Sequence, residues 1–192
     1  MANVEKFVPI LIKNEASIVL LDGETNESLF ERARAKGWSN HKKDRGGETM
    51  IGVTLKTYTT YCKKNGLKTP DANALKNIPY KHWVAILKEM YWDVAKADRY
   101  DNQSVANIIV DWCYNSGTKV LRNVQEIVGA DVDGAVGNQT IAAINEKDQY
   151  GLFERLKIER LRYYDDIIKK DPSQVCFQTG WYNRIDRFTF KS

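Results

Sequence analysis

Imidazole, thiol and proline are scarce in this 192-residue sequence, which holds two His, three Cys and four Pro. His41 and His82 stand far apart, so a histidine-dependent triad or a His-rich metal site has little material. Cys62, Cys113 and Cys176 are odd in number and form no C-x-x-C pair, which indicates neither a disulfide framework nor a thiolate zinc site. Reduced, structural cysteines are expected. Long apolar runs are also missing. The stretch from Phe7 to Ile12 gives way at once to Lys13, Asn14 and Glu15, whereas crossing a bilayer takes about 20 apolar residues. It also lacks the basic start, long apolar middle and small-residue cleavage site of a secretory leader. The expectation is synthesis in the cytoplasm without membrane insertion.

Apolar residues make up 43% of the chain and charged residues 28%, the balance of an ordinary globular protein. The net charge of +4 is spread without a dense Lys/Arg block. On charge alone a nucleic acid and the anionic polymers of a cell wall are equally good partners.

Apolar spacing predicts a mainly helical chain. Val4, Val8, Leu11 and Ile12 recur at helical intervals and place Glu15 at or near the end of the first helix. Further helices are expected over 26–34, 55–65, 79–93, 104–115, 119–128, 138–146 and 150–169, the one over 104–115 being apolar enough to be central. Between Gly37 and Gly52 the chain is rich in Gly, Asn, Asp, Ser and Thr, the composition of a structured loop. Only Met50 to Val53 has some strand character, so the β content is expected to be minimal.

Hydrolysis of a glycosidic bond requires two carboxyl groups, one to protonate the leaving oxygen and one to act from the other face. Asp44-Arg45-Gly46-Gly47-Glu48-Thr49 brackets a glycine pair with a carboxylate and a hydroxyl. Glu15 would leave a packed helix semi-buried beside apolar neighbours, a setting that favours an acid role for a carboxyl. Each feature alone has an ordinary explanation, as a solvated helix end and as a turn.

Ile10-Leu11-Ile12-Lys13-Asn14-Glu15, together with the segment from Gly37-Trp38-Ser39-Asn40 through Asp44-Arg45-Gly46-Gly47-Glu48-Thr49 to Gly52-Val53-Thr54, resembles the opening of the glycoside hydrolase family 108 muramidases, also known as secretion activator proteins. The likeness continues through Tyr91-Trp92-Asp93, Asp111-Trp112-Cys113-Tyr114-Asn115-Ser116-Gly117 and Gln125. It then runs through Asp133-Gly134-Ala135-Val136-Gly137-Asn138-Gln139-Thr140 to Gly180-Trp181-Tyr182-Asn183-Arg184. The resemblance implies a lysozyme-like, mainly α fold with one Gly-rich active-site loop. A catalytic region over 1–103 and a helical peptidoglycan-binding region over 104–192 would pack as one unit.

The implied activity is cleavage of the β-1,4 bond between N-acetylmuramic acid and N-acetylglucosamine, with Glu15 as general acid and Asp44 and Thr49 across the cleft. Trp38, Asn40, Tyr91, Trp92 and Asn115 are the candidate sugar contacts. Neither a metal nor an organic cofactor is implied, the partner is peptidoglycan and not nucleic acid, and a phage-type holin pore would give access to the wall. Residues 16–36 depart from the family pattern, in which the glutamate lies close to the loop. Three readings stay open: Glu15 keeps the acid role, Glu31 takes it, or the acid is lost and the protein only binds the wall. For Asp133 to Thr140, a structural turn and a glycan contact are equally good explanations. A lytic transglycosylase is a further alternative activity.

Overall fold

The computed structural model describes residues 1–40 and 47–192 and divides into two units, one of Val4–Tyr91 and one of Met1–Asn3 with Trp92–Ser192. Helices dominate both, and among the described residues the β structure is three two-residue strands, in line with the minimal β content the sequence pattern predicts.

In the Val4–Tyr91 unit, α1 (Val4–Ala16) buries Phe7, Val8, Leu11 and Ile12 completely. Pro9 lies inside α1 and has no N–H to donate to the carbonyl of Glu5, one turn back. The side-chain amide of Asn26 donates there instead, at 3.0 Å, and reaches the Glu5 carboxylate at 2.8 Å. Asn26 opens α2 (Asn26–Arg34), so the residue that heals the proline defect also docks α2 on α1, with Leu29, Phe30 and Ala33 buried. The segment between the two helices is tied down by Glu24, whose carboxylate accepts from Arg32 Nε at 2.6 Å and from the Leu21 N–H at 2.9 Å. Arg32 foremost, with that N–H, holds the Glu24 carboxyl down to about 2.

The strands β1 (Trp38–Ser39), β2 (Thr49–Met50) and β3 (Val53–Thr54) form an antiparallel meander. Ile51 and Gly52 join β2 to β3 with positive φ at both positions (44° and 74°), the twist a two-residue hairpin requires. A β-branched residue avoids that region unless its surroundings hold it there. Here Gly37 lies against it so closely that a Cβ would come 2.3 Å from Ile51 Cγ1, the Ile51 N–H donates to the Gly37 carbonyl, and the Trp83 indole donates to the Ile51 carbonyl at 3.1 Å. Three helices complete the unit: α3 (Leu55–Lys64), N-capped by Thr54; α4 (Ala72–Lys76), capped by Asp71; and α5 (Tyr80–Leu87), which loosens into a π-helical turn over Lys88–Trp92. The sequence pattern extended α5 unbroken to residue 93 and did not resolve α4.

The Trp92–Ser192 unit is built round α6 (Gln103–Ser116), capped by Asn102 and buried at every position from Ser104 to Tyr114. Around it lie α7 (Leu121–Val128), α8 (Asn138–Asn145), α9 (Gln149–Lys170) and α10 (Gln178–Asp186). Asp111 of α6 is fully buried and bound to two guanidiniums: Arg184 of α10, bidentate at 2.8 and 2.7 Å, and Arg160 of α9 at 2.8 Å. Burial alone would push the Asp111 carboxyl up, but Arg184 and Arg160 hold it at about 2. Cys62 and Cys113 are buried within their respective units and Cys176 is exposed. Among the described residues no helix is long and apolar enough to cross a membrane.

Candidate active site

Glu15 stands in the last turn of α1, half-buried. The chain leaves the helix directly after it: Ser17 takes a left-handed φ of 56° while its N–H still bonds the Lys13 carbonyl at 3.0 Å. The carboxyl thus stands one turn beyond Leu11 and Ile12, which are fully buried, at the end of a helix face locked into the core, and this is the rigid support a catalytic group needs. Glu31, the alternative acid, lies on the outer face of α2, exposed and ion-paired with Arg34 at 2.8 Å.

Thr49 lies on β2, paired with Ser39 on one side and Thr54 on the other. Directly paired residues of an antiparallel sheet share a face, so three hydroxyl side chains line one side of the meander. Thr49 is half-buried, with Oγ1 3.5 Å from the Ser39 carbonyl. Trp38 takes the opposite face, beside Met50, and is half-buried with Lys76 Nζ 5.9 Å from its ring centre. Asn40 is exposed at the end of β1. Asp44, with His41, Arg45 and Gly46, lies outside the described residues.

One constellation in this unit escaped the sequence reading. His82 of α5 is not solitary: its Nδ1 shares a hydrogen bond of 3.0 Å with the Tyr58 hydroxyl of α3, and the Tyr61 ring lies 5.5 Å from the imidazole. Burial lowers the His82 pKa, helped by Lys81, and burial also pushes the Tyr58 phenol up to about 12. The group therefore favours a neutral imidazole packed between two helices. Among the described residues no three His, Cys, Asp or Glu side chains converge as a metal site.

Residues 33–117 match the glycosyl hydrolase 108 family, and residues 119–186 match a "Predicted Peptidoglycan domain". A solved structure of SagA from Brucella abortus is similar to this chain, with 26% identity and a TM-score of 0.68, covering 83% of this chain and 90% of that one. No curated protein matches. The mainly helical, lysozyme-like architecture agrees with that likeness. The chain is a glycoside hydrolase and its partner is peptidoglycan. The family 108 match begins at residue 33, downstream of both Glu15 and Glu31.

Within the family 108 span the remaining candidates differ. Tyr91 is half-buried in the π-helical turn. Trp92 has no exposed surface and its indole N–H donates to Asp98, which places it in a core and not on a wall a glycan could reach. Asn115 is exposed at the end of α6, its Oδ1 accepting from the Tyr164 hydroxyl at 2.6 Å. That bond fixes the amide orientation and turns its NH2 donors elsewhere.

In the peptidoglycan domain, the Asp133 to Thr140 motif is gathered by Gln125 of α7, which is 1% exposed. Gln125 Nε2 donates to Asp133 Oδ1 at 2.8 Å, to the Ala135 carbonyl at 3.1 Å and to Thr140 Oγ1 at 3.3 Å. Its Oε1 accepts from the Gly134 N–H at 2.7 Å. Of the two explanations for this motif, the turn accounts for every one of these groups.

Proposed function

We propose that the protein is an N-acetylmuramidase that cleaves the β-1,4 bond between N-acetylmuramic acid and N-acetylglucosamine. Glu15 is the general acid, giving its proton to the glycosidic oxygen as the bond to the anomeric carbon breaks. Asp44 faces the developing oxocarbenium ion, and Thr49 holds the water that completes hydrolysis. Trp38 and Asn40, on the other face of the meander from Thr49, contact a neighbouring sugar of the same strand. Residues 1–103 form the catalytic region and residues 104–192 the wall-binding region.

The observation that carries the acid assignment is the contrast between the two early glutamates. Glu15 is half-buried at the end of a helix anchored in the core, while Glu31 is exposed on the outer face of α2. A proton donor benefits from partial shielding and fixed placement, which an exposed side chain lacks. Glu15→Gln should lower the release of reducing ends from purified peptidoglycan by at least about 100-fold, the usual worth of a general acid, and leave the melting temperature unchanged. Undiminished turnover would remove Glu15 from the reaction, and the same assay on Glu31→Gln would then identify the acid.

A second reading, a wall-binding protein without turnover, is favoured by the start of the family match beyond Glu15. Co-sedimentation with peptidoglycan without any reducing ends released from the wild type would select it. Mass spectrometry of released fragments separates hydrolysis from the anhydro sugar of a lytic transglycosylase.

A further inference from the structure

Between α7 and α9 of the Trp92–Ser192 unit runs a groove of about 390 Å³, inside the range of roughly 300–1,000 Å³ typical of small-ligand sites. One wall is a stripe along α9: Arg155, Glu159, Arg162 and Asp166 follow one another at intervals of three and four and so share a helix face. Their charges alternate in sign. Glu126 supplies a further carboxylate from α7, and Ile127 and Tyr163 supply the apolar surface.

Ion pairs at such spacings are commonplace on solvated helices and by themselves signal nothing. The groove differs in how its charges are held. The Glu159 side chain is only 21% exposed, and a single oxygen, Oε1, takes both Arg155 Nε and Arg162 Nη1 at 2.8 Å. Both guanidiniums are more than 60% exposed. A guanidinium has five N–H donors, so each arginine is oriented by Glu159 and retains donors for a carboxylate from outside. Tyr163 is fixed from behind, edge-on to the buried Trp112 at 5.5 Å.

A glycan strand is met chiefly by open aromatic faces and neutral hydrogen-bonding groups, and this groove offers one half-buried ring among five charges. Its pattern suits a short zwitterionic peptide. We propose that the α7–α9 groove binds the peptide stem of peptidoglycan, with Arg155 and Arg162 on stem carboxylates, Glu126 on the ammonium of the diamino acid, and Ile127 and Tyr163 against alanine methyls; Asp166, at the end of the stripe, is paired with Lys169 at 3.2 Å. The inference rests on the peptidoglycan reading above and assigns the second region to the peptide and not to the sugar.

The test uses the full chain and two probes: a synthetic stem tetrapeptide, L-Ala-γ-D-Glu-L-Lys-D-Ala, followed by NMR titration, and glycan strands stripped of stems by an amidase. The Arg155→Ala/Arg162→Ala double variant alters exposed side chains, and its fold is checked by thermal melting. The wild type should bind the tetrapeptide, with shifts centred on α7 and α9, and the double variant roughly tenfold more weakly, a change of about 1.4 kcal/mol. Digestion of intact peptidoglycan should fall in the double variant while cleavage of stripped strands stays at the wild-type rate. No binding of the tetrapeptide by the wild type, or equal binding by both proteins, overturns the proposal. Weaker binding of stripped strands by the double variant overturns it in favour of a sugar site. If neither peptidoglycan nor stripped strands are cut by the wild type, the hydrolase reading fails, and the tetrapeptide titration still decides the groove.

Discussion

Asn26 and Gln125 show single side chains completing backbone that would otherwise be left unsatisfied. Asn26 supplies the donor that Pro9 withholds from the Glu5 carbonyl, and Gln125 serves three acceptors and one N–H of the 133–140 segment from a fully enclosed position. A buried polar group that loses its partner costs about 1–3 kcal/mol. Gln125→Leu keeps the volume close and removes all four bonds. It should therefore lower the melting temperature by about 4–8 °C, taking a loss of about 2 kcal/mol and 2–4 °C per kcal/mol for a chain of this size. Differential scanning calorimetry checks this, and an unchanged transition would mean that the turn holds without its central amide. Sequence inspection cannot find such a residue by periodicity, because Gln125 sits where helix α7 would ordinarily present an apolar side chain.

At the scale of elements, the segment between α1 and α2 is set apart from ordinary loops by its clamp. Arg32 joins Glu24 and the Val19 carbonyl at 2.8 Å, and the clamp presents Val19, Leu20 and Leu21 to solvent. Glu24→Gln removes the charge that orients Arg32, so the segment should open locally while α1 and α2 stay packed through Leu11, Leu29 and Phe30. Limited proteolysis should then cut near Leu20 roughly several-fold faster than in the wild type, since cleavage follows the open population. Equal rates would show that the segment is held by something other than this pair.

Which elements the sequence made legible follows from the same physics. The helices with a clear apolar face and a capping residue, such as α3 after Thr54 and α6 after Asn102, lie where the pattern put them. Helix α4 is five residues long, too short for a period to emerge, and α10 carries Gly180 and a largely exposed surface. The helix-end placement of Glu15 was legible because it follows from four apolar residues upstream. The partner of Asn115, the hydroxyl of Tyr164, lies 49 residues away and left no local trace. Trp92 misled because an aromatic at helical spacing reads alike whether it lines a cleft or fills a core.

For the molecule as a whole, acid is the condition that separates its interactions. Asp111 joins α6, α9 and α10 through Arg160 and Arg184, so one carboxylate ties together the helices of the Trp92–Ser192 unit. Its folded pKa of about 2 lies below the ordinary carboxylate value, so the folded state binds this proton less readily than the unfolded chain. The resulting stabilisation is fully present above about pH 4, the unfolded value for Asp, and is lost as the pH falls through about 2, where the folded state also protonates. Its size is on the order of 2 kcal/mol. Asp111→Asn should be less stable at pH 7 by roughly 3–5 kcal/mol, because two enclosed guanidiniums lose their counter-charge. Urea titrations of both proteins at pH 7, 4, 3 and 2 give the comparison. The gap between them should be wide and constant down to pH 4 and then narrow, since only the wild type has this carboxylate left to protonate. A gap that stays constant to pH 2 would show that Asp111 does not titrate in that window, and that the acid sensitivity of the fold lies in its other carboxylates.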